Sequence, residues 1–305
     1  MKKLFGLALL ALAFLAPLPA EAACSGGTCF WIGGTGTIDG TSDNGHWATS
    51  SGGASCSCVP NNTTDNLTFD GSSSTGTVTV SMPGGTLTAG QITASNFNGT
   101  LDFATSNNNV VLSSATPFTS NSSVTRTLNM GSGTWTLSSN TAVWNISTGT
   151  NLTLNAGSST IAFTGSNAAN RTFSGGGKTY NIVTVSAIGN GIGQFTVNQA
   201  NTFATLTISA PNRVSLTNAT QTVTTLTNVS GSSSQQVLFQ GNLGFGNGVI
   251  SSANNWTCTY CALAAMTFSG GGAFTATNSF DLGGNSGITI TSPSGGSSGG
   301  RIIGG

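Results

Sequence analysis

The sequence predicts an all-β chain, a right-handed parallel β-helix (β-solenoid) with an irregular N-terminal cap and a flexible Gly/Ser-rich C-terminal tail. Three observations predict it. No window after the first two dozen residues carries an i, i+3, i+4, i+7 apolar stripe, whereas period-two alternation recurs throughout. Strands and corners return with a loose period of roughly twenty residues. Only 5% of the 305 residues are charged, against about 25% in an ordinary globular domain. Coils stacked about 4.8 Å apart place like side chains in ladders, and like charges directly opposite one another are destabilising. A β-sandwich uses the same short strands and turns, but its architecture gives no reason to keep Lys and Glu off the outer faces. About twenty residues per coil gives on the order of a dozen coils and a rod roughly 50–60 Å long.

Residues 1–22 read as an export signal. Met1-Lys2-Lys3 is the basic start, Leu4 to Ala16 is an apolar run too short to span a membrane, and Ala20-Glu21-Ala22 is an A-x-A cleavage box. A lipid anchor on Cys24 is the alternative, but it would place Glu21 where lipoproteins carry Leu. No later run reaches 18 apolar residues, so no transmembrane span is expected after cleavage. Residues 23–64 hold four cysteines, Trp31, His46 and Trp47, and are expected to form a cap over one end of the solenoid.

Residues 65–292 are the expected solenoid. Leu67 and Phe69, Val78 and Val80, Leu101 and Phe103, Leu152 and Leu154, Ile161 and Phe163, Phe195 and Val197, and Leu206 and Ile208 each flank a polar or small residue. Each such stretch reads as a strand with one buried and one solvated face. On that parity Asp102 faces solvent, and Trp135 and Trp144 fall on the core side. Clusters such as Ser106–Asn109, Gly131–Gly133, Gly175–Gly177, Gly189–Gly191 and Gly231–Ser234 supply the corners. Two echoes suggest repetition: Thr172–Gly177 returns as Thr267–Gly272, and Asn201–Ile208 returns loosely from Gln221 onward. Residues 293–305 read as the flexible tail.

The opening of the expected mature chain carries Trp31-Ile32-Gly33-Gly34-Thr35-Gly36-Thr37, then His46-Trp47, Pro60 and Asp65-Asn66-Leu67-Thr68-Phe69. This resembles the opening motif of bacterial and phage-associated secreted parallel β-helix proteins, including the passenger domains of autotransporter adhesins. Residues 171–186, 201–209 and 281–288 resemble their later repeats and closing segment. Ile38 stands where that motif carries tryptophan. No segment shows the girdled amphipathic strands of an outer-membrane barrel. The resemblance implies a β-helix at a cell surface or on a virion and carries no catalytic residue with it.

Chemistry is sparse. The expected mature chain has five basic residues, Arg126, Arg171, Lys178, Arg213 and Arg301, and six acids, Asp39, Asp43, Asp65, Asp70, Asp102 and Asp281. Scattered cations do not make a phosphate-binding stripe, so no nucleic-acid partner is expected. Glycoside cleavage needs two carboxyl groups flanking one bond, and Asp102 and Asp281 are far apart. The four acids before residue 71 offer a loose Ca²⁺ site or, in the plainer reading, solvated turn formers. Cys24, Cys29, Cys56, Cys58, Cys258 and Cys261 are disulfide candidates behind an export signal, with two bridges in the first group and one between Cys258 and Cys261. A zinc site on the Cys258-x-x-Cys261 pair lacks nearby partners. No cofactor is expected. Trp135, Trp144, Trp256, Tyr180 and Tyr260 stack on sugars if exposed and fill the core if not. The leading expectation is an exported, non-catalytic structural or adhesive protein that contacts glycans or other surface proteins, with homo-oligomerisation compatible with the rod. A phage virion protein such as a tail appendage, and a polysaccharide lyase or hydrolase, are the alternatives. Because the acids and the lone histidine lie mostly before residue 103, any ion-dependent site is expected at the N-terminal end.

Overall fold

The computed structural model describes residues 24, 27–73, 75–166, 168–186, 193–209, 211–217, 219–227, 230–242 and 246–293. The expected signal at 1–22, the turn at 189–191 and nearly all of the tail lie outside them. The chain is a parallel β-helix. Among the described residues its strands form sheets of twelve, five, nine and three strands, here called faces A, B, C and D.

Alternation builds each rung. Asn66–Phe69, Thr77–Val80, Thr86–Ala89 and Gln91–Ala94 all bury every second residue. Stacking then aligns the buried positions. On face A, Cys29, Leu67, Ile92, Phe118, Trp144, Phe173, Val197 and Leu216 follow one another in register. All eight side chains are buried, each large apolar one contributing about 1.5–3 kcal/mol. Around Trp144 the column becomes an aromatic stack. Phe118 lies 4.3 Å away at 17°, and Trp135 and Tyr180 meet it edge-on. The tryptophans expected in the core, Trp135 and Trp144, are there.

The coil is longer than the sequence period suggests, and it shortens along the rod. Side-chain hydrogen bonds between neighbouring coils span 26 residues from Ser122 to Asn96 and from Asn155 to Asn129. They span 24 from Asn198 to Ser174, 20 from Thr207 to Thr227 and 18 from Thr257 to Thr275. The cause is a change in cross-section. Through Phe163 the chain visits A, B and C in turn. From Arg171 it runs A to C directly, on strands as long as Thr179–Val185 and Thr202–Ile208 that replace two strands and a corner. From Trp256 a third side returns as face D, now after C. Single residues with positive φ, Tyr260 (55°) and Ala265 (51°), turn the last corners. The twenty-residue echo between Asn201–Ile208 and the following coil is genuine stacking, with Thr202 over Thr222 and Leu206 over Leu226. It samples the two-sided section alone. The other echo is not structural: Thr172–Ser174 lies on face A and Thr267–Ser269 on face C. Among the described residues face A has eleven parallel strands, in line with the order of a dozen coils expected, and ten steps of about 4.8 Å give a rod of about 48 Å.

The first rung lies inside the region expected to be cap: Thr28–Trp31 and Gly36–Ile38 already pair in parallel with the next coil. The cap proper is the strand Trp47–Ala48, which runs antiparallel to Thr28–Trp31 and covers the open edge of face A. Disulfides join Cys24 to Cys29, Cys56 to Cys58 and Cys258 to Cys261. No helix among the described residues is long and apolar enough to cross a membrane.

Candidate functional site

The N-terminal end holds the chain's only histidine. The His46 ring stacks on Trp31 at 4.5 Å and 7°, and Trp47 meets Trp31 edge-on at 5.1 Å. Trp31 Nε1 donates to the Gly34 carbonyl at 2.9 Å, and His46 Nδ1 lies 3.0 Å from the Ile32 carbonyl. A carbonyl accepts only, so the Nδ1 position carries the proton. Gly36 makes the stack fit, since a Cβ there would sit 2.6 Å from His46 Nε2 and 2.8 Å from Trp31. The pair is packing within the cap, as its sequence context suggests.

The four early acids are not brought together. Asp39 accepts the Thr41 and Ser42 amides at 2.8 and 2.9 Å. Burial raises its pKa, but those amides and the Ser42 hydroxyl outweigh burial and hold the carboxyl below its ordinary value. Asp43 accepts the Trp47 amide at 3.0 Å and the Ser55 hydroxyl. Asp70 accepts the Ser72 amide. Asp65 is fully buried; its Oδ2 accepts the Asn61 amide and the Asn62 side chain, and its Oδ1 has no hydrogen-bond partner among the described residues. Burial raises its carboxyl above the ordinary value, more than those two residues lower it. Among the described residues, the one group of three or more candidate metal ligands is sulfur: Cys24, Cys56 and Cys58, within 4.8 Å of one another and all in disulfides. The acids do not converge on a Ca²⁺ site.

Asp102 corrects the alternation reading. It is buried, not solvent-facing, at 8% exposure. It ends the strand Thr100–Asp102, where the chain turns, and its carboxylate accepts the Ala104 amide and the Thr105 hydroxyl from that turn. Asn129 Nδ2 from the next coil adds a third donor at 3.4 Å. Asp281 caps its own turn through the Gly283 amide and Asn285. Asp102 lies on face B and Asp281 on face A, so these two carboxyl groups do not flank a common substrate position.

Two residues escaped sequence reasoning. Arg126 and Arg171 are buried. Arg126 Nε donates to Ser120 Oγ at 2.7 Å, its NH1 donates to the Ser122 and Val124 carbonyls at 2.9 and 3.0 Å, and its NH2 donates to the Ser120 carbonyl. Arg171 NH2 donates to the Gly165 carbonyl. Burial lowers both pKa values, yet a guanidinium stays charged at any ordinary pH. Five fixed donors let arginine gather the orphan carbonyls of a corner. Spacing alone does not signal this, because an arginine on the inward parity looks like a misplaced surface residue.

The flank of face A carries a polar cluster that is part-exposed at Gln194, Thr196, Asn198 and Arg213 and buried at Ser215 and Gln240. Gln194, Thr196, Asn198, Arg213, Ser215 and Gln240 come from three successive coils. Gln240 Nε2 donates to Gln194 Oε1 at 3.1 Å, and Arg213 NH2 donates to Gln240 Oε1 at 3.3 Å. Gln194 Nε2 donates to Thr196 Oγ1, and Asn198 Nδ2 to Ser174 Oγ. Among the described residues, Arg213 Nε has no hydrogen-bond partner. The buried Gln240 thus holds the part-exposed Gln194 and Arg213 in place, and those two carry the cluster's accessible edge. Trp135, Trp144, Trp256 and Tyr180 are all buried; Tyr260 alone of the five aromatic candidates is part-exposed. Comparison with protein-family models, with characterised proteins and with solved structures finds no match for this chain.

Proposed function

We propose that this chain is an exported, non-catalytic β-helix rod with a structural or adhesive role at the cell surface or outside the cell, and that it contacts neutral glycans along the flank of face A. One observation carries the reading. Each of the six described carboxylates accepts hydrogen bonds from its own neighbourhood, most of them two to five residues away. Such carboxylates serve turns and have no partner carboxyl for acid–base work on a glycoside. The part-exposed Gln194 and Arg213, held by the buried Gln240, support glycan contact, because amide and guanidinium groups hydrogen-bond sugar hydroxyls. The buried disulfides and the signal-like start support export.

The test is a glycan array probed with the full chain, with cell fractionation in parallel. The reading expects binding to one or more neutral oligosaccharides, at least tenfold weaker in a Gln194→Ala, Gln240→Ala double variant. Release of reducing or unsaturated sugar ends from any polysaccharide on the array would overturn the non-catalytic assignment. Retention of the unprocessed chain in the cytoplasm would overturn export.

A further inference from the structure

Face C differs from face A in the residues it turns outward. Over seven successive coils its outward positions form two columns. The first runs Thr86, Asn109, Thr134, Thr160, Ile182, Thr205, Thr225, and the second runs Thr88, Val111, Thr136, Ala162, Thr184, Thr207, Thr227. Ten of the fourteen are threonine, and the rest are one asparagine and three small or branched aliphatics. None is charged and none is aromatic. All fourteen are part-exposed or exposed. Face A at the same level also turns out Thr172, Ser174, Thr196 and Ser215, but Gln194, Asn198 and the charged Arg213 interrupt its columns. A general preference of strands for threonine acts on both faces alike and does not separate them.

The columns set a two-dimensional spacing. Neighbouring coils are about 4.8 Å apart, and residues i and i+2 along a strand are about 6.7 Å apart. Ordered water has a comparable lattice. Oxygens bonded at about 2.75 Å to a common tetrahedral neighbour lie about 4.5 Å apart, and the same bond length gives an axial repeat of about 7.3 Å in hexagonal ice. The mismatch between coils is about 0.3 Å per step and accumulates to about 2 Å over six steps, under half of one lattice spacing. Every coil of the array therefore stays nearest to its own lattice row. Threonine suits such a surface: its hydroxyl exchanges hydrogen bonds with water, its methyl group fills the space between, and its χ1 is stiff in a strand. Thr207 and Thr227 already hold their hydroxyls 2.8 Å apart across coils. A neutral lattice calls for an uncharged face, and face C supplies one over a length of about 29 Å.

We propose that face C, from Thr86 to Thr227, binds the surface of ice. This is independent of glycan contact on face A, so either assignment can fail without the other. The experiment is ice-affinity partitioning of the full chain, together with thermal hysteresis and inhibition of ice recrystallisation. Three proteins are compared: the native chain, Thr136→Lys with Thr184→Lys on face C, and Thr119→Lys on face A, outside the Gln194 cluster. Circular dichroism confirms that each is folded. The expected result is enrichment of the native chain and the face A variant in the ice fraction, with at least a tenfold loss of recrystallisation inhibition in the face C variant. The proposal is overturned if the native chain is excluded from ice like an inert protein. It is overturned equally if the two folded variants lose activity alike, or if the native chain self-associates through face C, as judged by a dimer in sedimentation that the face C lysines dissolve.

Discussion

Replacing Arg126 with methionine tests how the solenoid closes its corners. Methionine keeps most of the side-chain length and apolar stem but removes every donor. In other proteins, exchanging a buried charged group for a hydrophobic one of similar volume is often neutral or stabilising, because the desolvation cost of the charge disappears. That relief requires the partners to be replaced too. Here three of the four acceptors are backbone carbonyls, of Ser120, Ser122 and Val124, and no substitution removes them. Ser120 and Ser122 are buried. An unsatisfied buried acceptor costs about 1–3 kcal/mol. The two buried carbonyls, of Ser120 and Ser122, therefore cost about 2–6 kcal/mol between them, while water reaches the part-exposed Val124. Lysine at the same position offers three donors from one point and recovers only part of this. The loss is local, because each coil contacts only its neighbours. The assay is therefore hydrogen exchange by mass spectrometry over residues 100–155, beside a chemical denaturation curve. Faster exchange confined to that stretch and a lower midpoint are expected. Native exchange rates and an unchanged midpoint in Arg126→Met would refute the argument, and would show that the corner carbonyls are satisfied without the guanidinium.

Three further outcomes are expected. Asn129→Asp places a carboxylate beside Asp102 in a ladder that now reads Asp102, Asn129, Asn155. It should cost about 1 kcal/mol in urea denaturation at neutral pH, whereas Asn129→Thr should cost less, because like charges directly opposite repel. Asp65→Asn removes a carboxyl whose folded-state pKa lies above its unfolded value, so the native chain is penalised once pH rises past the ordinary carboxyl range. The variant should gain thermal stability over the native chain at pH 7 and lose that advantage at pH 3, as read by melting temperature. Gly133→Ala should be strongly destabilising at an ordinary φ, because its Cβ would lie 2.1 Å from the Asn108 carbonyl oxygen. Size-exclusion and dichroism of the refolded variant check this, and Ser132→Ala, on the exposed neighbour, serves as the silent control.

The sequence by itself determined the class of fold. Period-two alternation states which side chains go inside, and the shortage of charge states that identical positions are stacked. Leu67, Trp135, Trp144 and Phe195 are where that argument puts them. Only the tertiary structure decided how many residues make a coil and how many sides it has, because a corner costs one residue at Ala265 and several at Gly131–Gly133, and nothing local distinguishes the two. It also decided the fate of the rare polar groups. Asp102 and Arg126 are buried because each finds hydrogen-bond partners in the turn beside it, with a further donor to Asp102 from the next coil. The separate columns of face C exist only once coils twenty or more residues long are laid in register. Alternation is a property of neighbours along the chain, whereas ladders, corners and faces are properties of neighbours across it.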